Sequence, residues 1–206
     1  GVANEGIVST RLGLKGIPDL AEELQIARNL FLLEYAGGKL HIPTISTAKS
    51  VQLIKEAKAK GLNVTCSVSV HHLVLSDSRL ENFDTRCKVS PPLRSEIDRL
   101  TLIDGILDNT IDMITSDHNP IDIEYKKMEF DLAKDGTIGL ETAFGALSTV
   151  LPLEKVIEKL TAGKATFGIE SQSISEGKKA NFSIFNPEGK SIFTNENILS
   201  KSKNSA

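Results

Sequence analysis

No stretch of the 206 residues approaches the ~20 consecutive apolar positions that a membrane-spanning helix requires, so the composition is that of a soluble globular protein. Cysteine is scarce: Cys66 and Cys87 are too few for a disulfide framework and lack the paired spacing of a zinc knuckle. That points to a reducing, cytoplasmic setting, with Cys66, set in an apolar run, in the core. A basic surplus is missing as well. Lys and Arg number 24 against 27 Asp and Glu, a formal charge of -3 with the signs interspersed, which argues against a nucleic-acid surface. A small neutral or anionic metabolite is the partner this balance suits. Also lacking are an initiator Met and a charged-then-apolar signal segment, so Gly1 is expected to be an internal starting point and the chain a piece of a longer one.

What is present alternates. Residues 1–18, broken by Gly1, Gly6, Gly13 and Gly16, read as a loop. Leu20, Leu24, Ala27 and Phe31 recur at helical spacing before Gly37-Gly38. A strand over 39–45 leads to a helix capped by Ser46 or Thr47, with Val51, Ile54 and Ala57 on its buried stripe and Gly61 at its end. A strand over 62–70 runs into His71-His72, and 76–94, with Pro91-Pro92, is a long loop of the functional kind. Helices follow over 96–107, 139–150 and 152–161. From Ser173 onward, Ile174, Ala180, Phe182, Ile184 and Phe193 among Gly, Asn and Ser suggest short antiparallel strands, and 200–206 reads as frayed. Such alternation implies a parallel sheet covered by helices. With only three good strands, it fits the carboxyl-terminal half of a closed (β/α)8 barrel (residues 1–165) followed by part of a small β-sandwich and a tail (166–206).

The chemistry gathers at 111–120. Ile111, Met113 and Ile114 read as a strand buried on both faces, and Asp117-His118 come just past its carboxyl end, where α/β folds place reactive groups. His41, His71, His72 and His118 all fall at or near strand ends. Imidazoles and a carboxylate on rigid strand ends are what a catalytic divalent metal needs, although His41 alone reads better as a hydrogen-bonded structural residue. Composition and spacing reach a metal-assisted hydrolase and no further.

Several strings, in order, carry more: Asn4-Glu5-Gly6, Ser9-Thr10-Arg11-Leu12-Gly13-Leu14, Ile45-Ser46-Thr47-Ala48, His71-His72-Leu73, Lys88-Val89-Ser90-Pro91-Pro92-Leu93-Arg94, Ser116-Asp117-His118 and Ile138-Gly139-Leu140-Glu141-Thr142. Together they resemble the dihydroorotase family of the amidohydrolase superfamily. The resemblance implies a TIM barrel with a β-sandwich built from both chain ends, one or two zinc ions, and interconversion of carbamoyl-aspartate and dihydroorotate in pyrimidine biosynthesis. It makes His71 a metal ligand, with His72 the alternative, and Asp117 a metal ligand and general acid-base. Ser90, Arg94 and the backbone around Gly136 (135–138) fall where the family binds substrate.

Three positions depart from the family pattern. Thr44 stands for a metal-binding histidine, Ser90 for a substrate-binding asparagine and Ile121 for a substrate-binding histidine. A hydroxyl is a poor zinc ligand beside imidazole, serine lacks the amide's paired donor and acceptor, and isoleucine cannot hydrogen-bond. His41, three residues before Thr44, faces the wrong side of a strand to substitute. Two functions follow: an active dihydroorotase, or an inactive homologue acting as a scaffold for aspartate transcarbamoylase. A related cyclic amidohydrolase, an allantoinase or hydantoinase, fits the Pro-Pro-Leu-Arg and Gly-Leu-Glu-Thr strings less well. The resemblance also implies the amino-terminal half of the barrel and a homodimer as partners.

Overall fold

In a computed structural model describing residues 1–170 and 174–206, the first eighteen residues are more ordered than their glycines suggest. Strands β1 (Ala3–Asn4) and β2 (Gly16–Ile17) pair in parallel across α1 (Ile7–Leu12). Gly13 ends that helix at φ 69°, the left-handed conformation glycine adopts without penalty. Helix α2 (Asp19–Ala36) is where the periodicity places it, but with the other face inward. Ile26, Leu30 and Leu33 are buried, whereas Leu20, Leu24 and Phe31 are 55–72% exposed.

Strand β3 (Leu40–Ile42) follows, then α3 (Ala48–Ala59), β4 (Val64–Ser69) and the short α4 (Val70–Val74). Thr47 is the cap of α3, its hydroxyl accepting from the Ser50 amide at 3.1 Å. Helix α5 (Glu96–Leu107) opens on a reciprocal capping box of Ser95 and Asp98. It leads to β5 (Met113–Thr115), and the chain continues through α6 (Ala143–Leu147), shorter than expected, α7 (Leu153–Thr161) and α8 (Gly163–Thr166). The main sheet is parallel in the order β3-β4-β5. Helices α2, α3, α5 and α7 pack in succession over it, burying Ile54, Val68, Ile106 and Ile111. Cys66 is fully buried, as expected, and burial pushes its thiol pKa up to about 12. No described helix is long and apolar enough to cross a membrane.

A second core, of Ala3, Leu80, Val89, Leu93 and Phe130, lies beneath the long loops over 76–94 and 122–136. Two buried lysines pin those loops. Lys88 Nζ donates to the carbonyls of Phe130, Asp131 and Ala133 at 2.6–3.1 Å, and Lys126 Nζ to those of Thr85 and Lys88 at 2.8 and 3.2 Å. Burial lowers the Lys126 pKa from 10.5 to about 8. Between those values the unfolded chain holds a proton that the folded chain has released, so this residue's contribution rises with pH from about 8 to 10.5. Relative to Lys126→Met, urea unfolding of the wild type should therefore gain about 1–3 kcal/mol across that window. Parallel pH dependence in the two proteins would exclude the assignment.

The carboxyl-terminal region departs from expectation. Ser173 lies outside the described residues, and 174–206 contain no strand, with Phe182 and Ile184 exposed. Residues 200–206 are not frayed, because Asn204 is fully buried.

Candidate active site

Parallel strands end on one side of the sheet, which brings Thr44, His71 and Asp117 to a common edge after β3, β4 and β5. Thr44 (φ 49°) and Asp117 (φ 44°) both adopt the left-handed backbone. Asp tolerates that region, but β-branched Thr is strained in it, and such strain concentrates at functional sites. The Thr44 amide donates to Ser67 Oγ at 3.2 Å, tying this bend to β4.

His71 is in the first turn of α4, not on the strand itself. It is buried, with Nε2 3.5 Å from the Asp117 carbonyl oxygen. Burial lowers its pKa, against the opposing effect of Asp117, and so favours a neutral imidazole. The chain crosses it closely at Gly139, where a Cβ would lie 2.2 Å from the Ser116 carbonyl and 2.9 Å from His71 Cε1. Only glycine fits there.

Geometry separates the two adjacent histidines. His72 Nε2 faces the Pro91 and Pro92 carbonyls at 3.1 and 3.2 Å, which makes it the donor and leaves Nδ1 to accept from Ser69 Oγ at 2.7 Å. With both nitrogens committed and burial lowering its pKa to about 4, His72 is a neutral structural residue. His41 is structural too, its Nδ1 2.9 Å from Thr65 Oγ1 and its ring edge-on to Phe167. His118 Nδ1 accepts from the Gly139 and Leu140 amides at 3.4 and 3.2 Å, binding the Asp117 loop to the arch over 136–140.

The expected substrate positions divide. Ser90 is exposed. Gly136 (φ 130°) is buried beside Asn119 and Ile121, with its amide donating to the Lys88 carbonyl at 2.9 Å. Arg94 is only 3% exposed. Its Nε donates to Ser46 Oγ at 3.0 Å, and its Nη1 to Asn4 Oδ1 and the Ile17 carbonyl at 2.9 and 2.8 Å, with Asp19 Oδ1 also 2.8 Å away. These bonds join the β1-β2 segment to the stretch after β3 that carries Ser46.

Sequence reading missed two acids in the same network. Glu22 accepts from the Ser46 and Thr47 amides and the Ser50 hydroxyl, and Asp98 from the Ala48 amide at 2.8 Å. The Ser95-x-x-Asp98 pattern carried the signal for Asp98, but nothing local marks Glu22. Negative charge at a helix amino end is favourable, so the bend is locked from both sides.

Zinc needs three or four protein donors. Among the described residues no three His, Cys, Asp or Glu side chains converge on one point. His71 and Asp117 remain as candidates, Thr44 offers a hydroxyl, and the other three imidazoles are engaged elsewhere. The donor set this chain brings together does not by itself fit zinc.

No family model matches the chain. Individual proteins do. It is 44% identical over 195 residues to a dihydroorotase of Pelotomaculum thermopropionicum, an alignment covering 91% of this chain and 46% of that protein. Among solved structures, it is 28% identical to the L-hydantoinase (dihydropyrimidinase) from Arthrobacter aurescens, with a TM-score of 0.67 over 71% of this chain and 35% of that one. The inactive dihydroorotase-like domain of the Chaetomium thermophilum CAD-like multifunctional protein is 25% identical, with a TM-score of 0.54 over 71% of this chain and 42% of that one. The chain spans about half the length of the curated relatives it matches. By sequence, the chain is similar over nearly its whole length to about half of each curated dihydroorotase it matches, and its α/β architecture is similar to part of the L-hydantoinase.

Proposed function

We propose that this chain forms the carboxyl-terminal part of a dihydroorotase-type cyclic amidohydrolase. It would interconvert carbamoyl-aspartate and dihydroorotate in pyrimidine biosynthesis. Residues 1–165 would build half of a TIM barrel completed by an amino-terminal half, and 166–206 part of a β-sandwich. The observation that carries this reading is the placement of Asp117 and His71 on one edge of a parallel sheet. In ring opening, water attacks the ring carbonyl, Asp117 takes the water's proton, and that proton passes to the ring nitrogen as the C–N bond breaks. Ring closure is the reverse. Gly136, Ser90 and Arg94 lie on the loops that would hold substrate. Cytoplasmic location is supported by two buried free thiols, and a homodimer belongs to the same proposal.

One observation favours a second reading. Among the described residues the donors present do not fit the one or two zinc ions the family resemblance implies, and Thr44 and Ile121 stand where that resemblance implies imidazoles. An inactive homologue, acting as a scaffold for aspartate transcarbamoylase, accounts for that loss. Zinc content and dihydroorotate turnover of the full-length protein separate the two. The active reading expects both, and the absence of both overturns it. The scaffold reading then stands or falls on co-purification with aspartate transcarbamoylase.

A further inference from the structure

The last residues of the chain are polar, lie outside regular structure, and yet are held on the candidate site. Asn204 is fully buried. Its Nδ2 donates to the Gly136 carbonyl at 2.9 Å, while its backbone carbonyl accepts from the Ile138 amide at 2.8 Å and from Thr137 Oγ1 at 3.0 Å. Thr137 Oγ1 accepts in turn from the Ala206 amide at 2.9 Å. Ser202 Oγ donates to the Ile121 carbonyl at 2.7 Å, and the Leu199 and Ser200 amides donate to the Glu141 carboxylate at 2.8 and 3.0 Å.

The far side of the same arch touches the Asp117 loop. Thr137 bridges His118 in parallel register, its carbonyl accepts from the Asn119 amide at 2.9 Å, and the Gly139 and Leu140 amides bond His118 Nδ1. The arch over 136–140 is thus a single layer with the terminal segment on one side and the Asp117-His118 loop on the other. Nothing else in the described chain bonds the Gly136 carbonyl or the Ile138 amide.

We propose that the segment over 198–206 is a strap and Asn204 a positioning residue, which sets the arch and, through it, the orientation of His118 and the Asp117 loop. The role of the arch at the substrate rests on the dihydroorotase reading, but the mechanical coupling does not. Asn204 reads both polarities of the arch, an acceptor at Gly136 and a donor at Ile138. The acceptor for Ile138 is the Asn204 main-chain carbonyl, which any residue supplies, so the side chain's own contribution is its Nδ2 donor, and aspartate would set a carboxylate against the Gly136 carbonyl. Among the described residues Asn204 Oδ1 is buried without a partner, so the strap is docked despite an unpaired acceptor.

Amide hydrogen exchange on the full-length protein tests the coupling independently of activity. Asn204→Asp should speed exchange at Ile138 and, across the arch, at Asn119 by about tenfold or more, with Val68 in β4 and Ile54 in α3 unchanged. The ring ¹⁵N signature of His118, with Nδ1 as acceptor, should shift in the same variant. Asn204→Gln, which keeps the side-chain N–H donor, should restore part of each effect. Exchange at Asn119 and a His118 signature both unaltered in Asn204→Asp and Asn204→Ala would overturn the proposal. Where the protein turns over dihydroorotate, Asn204→Asp should lower kcat by about tenfold with KM less affected. Altered exchange with unchanged kcat would refute the link to catalysis and leave the strap, whereas altered exchange in a protein with no turnover counts against the dihydroorotase reading alone.

Discussion

Replacing Arg94 with methionine should cost about 3–5 kcal/mol of folding stability at neutral pH, the cost of breaking a buried charged network from one side. The guanidinium is almost completely buried and holds partners from three separate stretches of chain: Asn4 and Ile17, Asp19, and Ser46. Asp19 lies against it, and Asn4, which accepts from Arg94, donates to Asp77, so its removal takes the counter-charge from Asp19 and loosens a partner of Asp77. Burial already raises the pKa of Asp19, which Arg94 opposes, and burial raises that of Asp77 as well. A carboxyl raised in the folded state loses stability as pH climbs through the unfolded and then the folded value. The deficit of Arg94→Met should consequently be larger at pH 7 than at pH 4, where these acids begin to protonate. Arg94→Lys should recover little, since one ammonium cannot reach Ser46, Asn4 and Ile17 together. Urea unfolding at the two pH values decides it. A loss below about 1 kcal/mol at pH 7 would return Arg94 to the substrate-contact role its sequence string implies.

The bonds of Arg94 show what sequence can carry. Helices α3 and α5 were legible because their caps are local: Thr47 and Ser95 bond amides three residues on, and a short string contains the whole interaction. Helix α2 was legible as a helix but not in orientation. Its apolar residues satisfy two stripes at once, and only the neighbouring α3 selects Ile26, Leu30 and Leu33 over Leu20, Leu24 and Phe31. The partners of Arg94 lie 48 to 90 residues away, so no window reveals them. His71 and His72 are chemically identical neighbours, distinguished only by the carbonyls of Pro91 and Pro92. The alternation of Phe182 and Ile184 is a genuine period-2 signal, yet a strand exists only when another strand accepts its hydrogen bonds. The strap was least legible. Its burial comes from backbone groups meeting backbone groups, to which composition is blind.

Asp117→Asn should leave the fold intact and reduce turnover about 10²- to 10⁴-fold, the range associated with losing a general acid-base group. Asp117 adopts φ 44°, a conformation asparagine tolerates as readily as aspartate, so the exchange adds no strain. The contact with His71 uses the Asp117 carbonyl of the main chain and survives the substitution. Thermal unfolding should therefore move by no more than about 0.5 kcal/mol, and a loss of turnover reports chemistry alone. Alanine is the poorer probe, because it gives up the side chain that makes the left-handed backbone tolerable and confounds strain with chemistry. Retention of turnover within about threefold of the wild type would remove Asp117 from the proton path, because a carboxamide cannot accept the water's proton. Under the scaffold reading the same variant has the opposite signature: no turnover to lose, an unchanged melting curve, and unchanged co-purification with aspartate transcarbamoylase. The one substitution thus discriminates a working carboxylate from one retained only for its backbone.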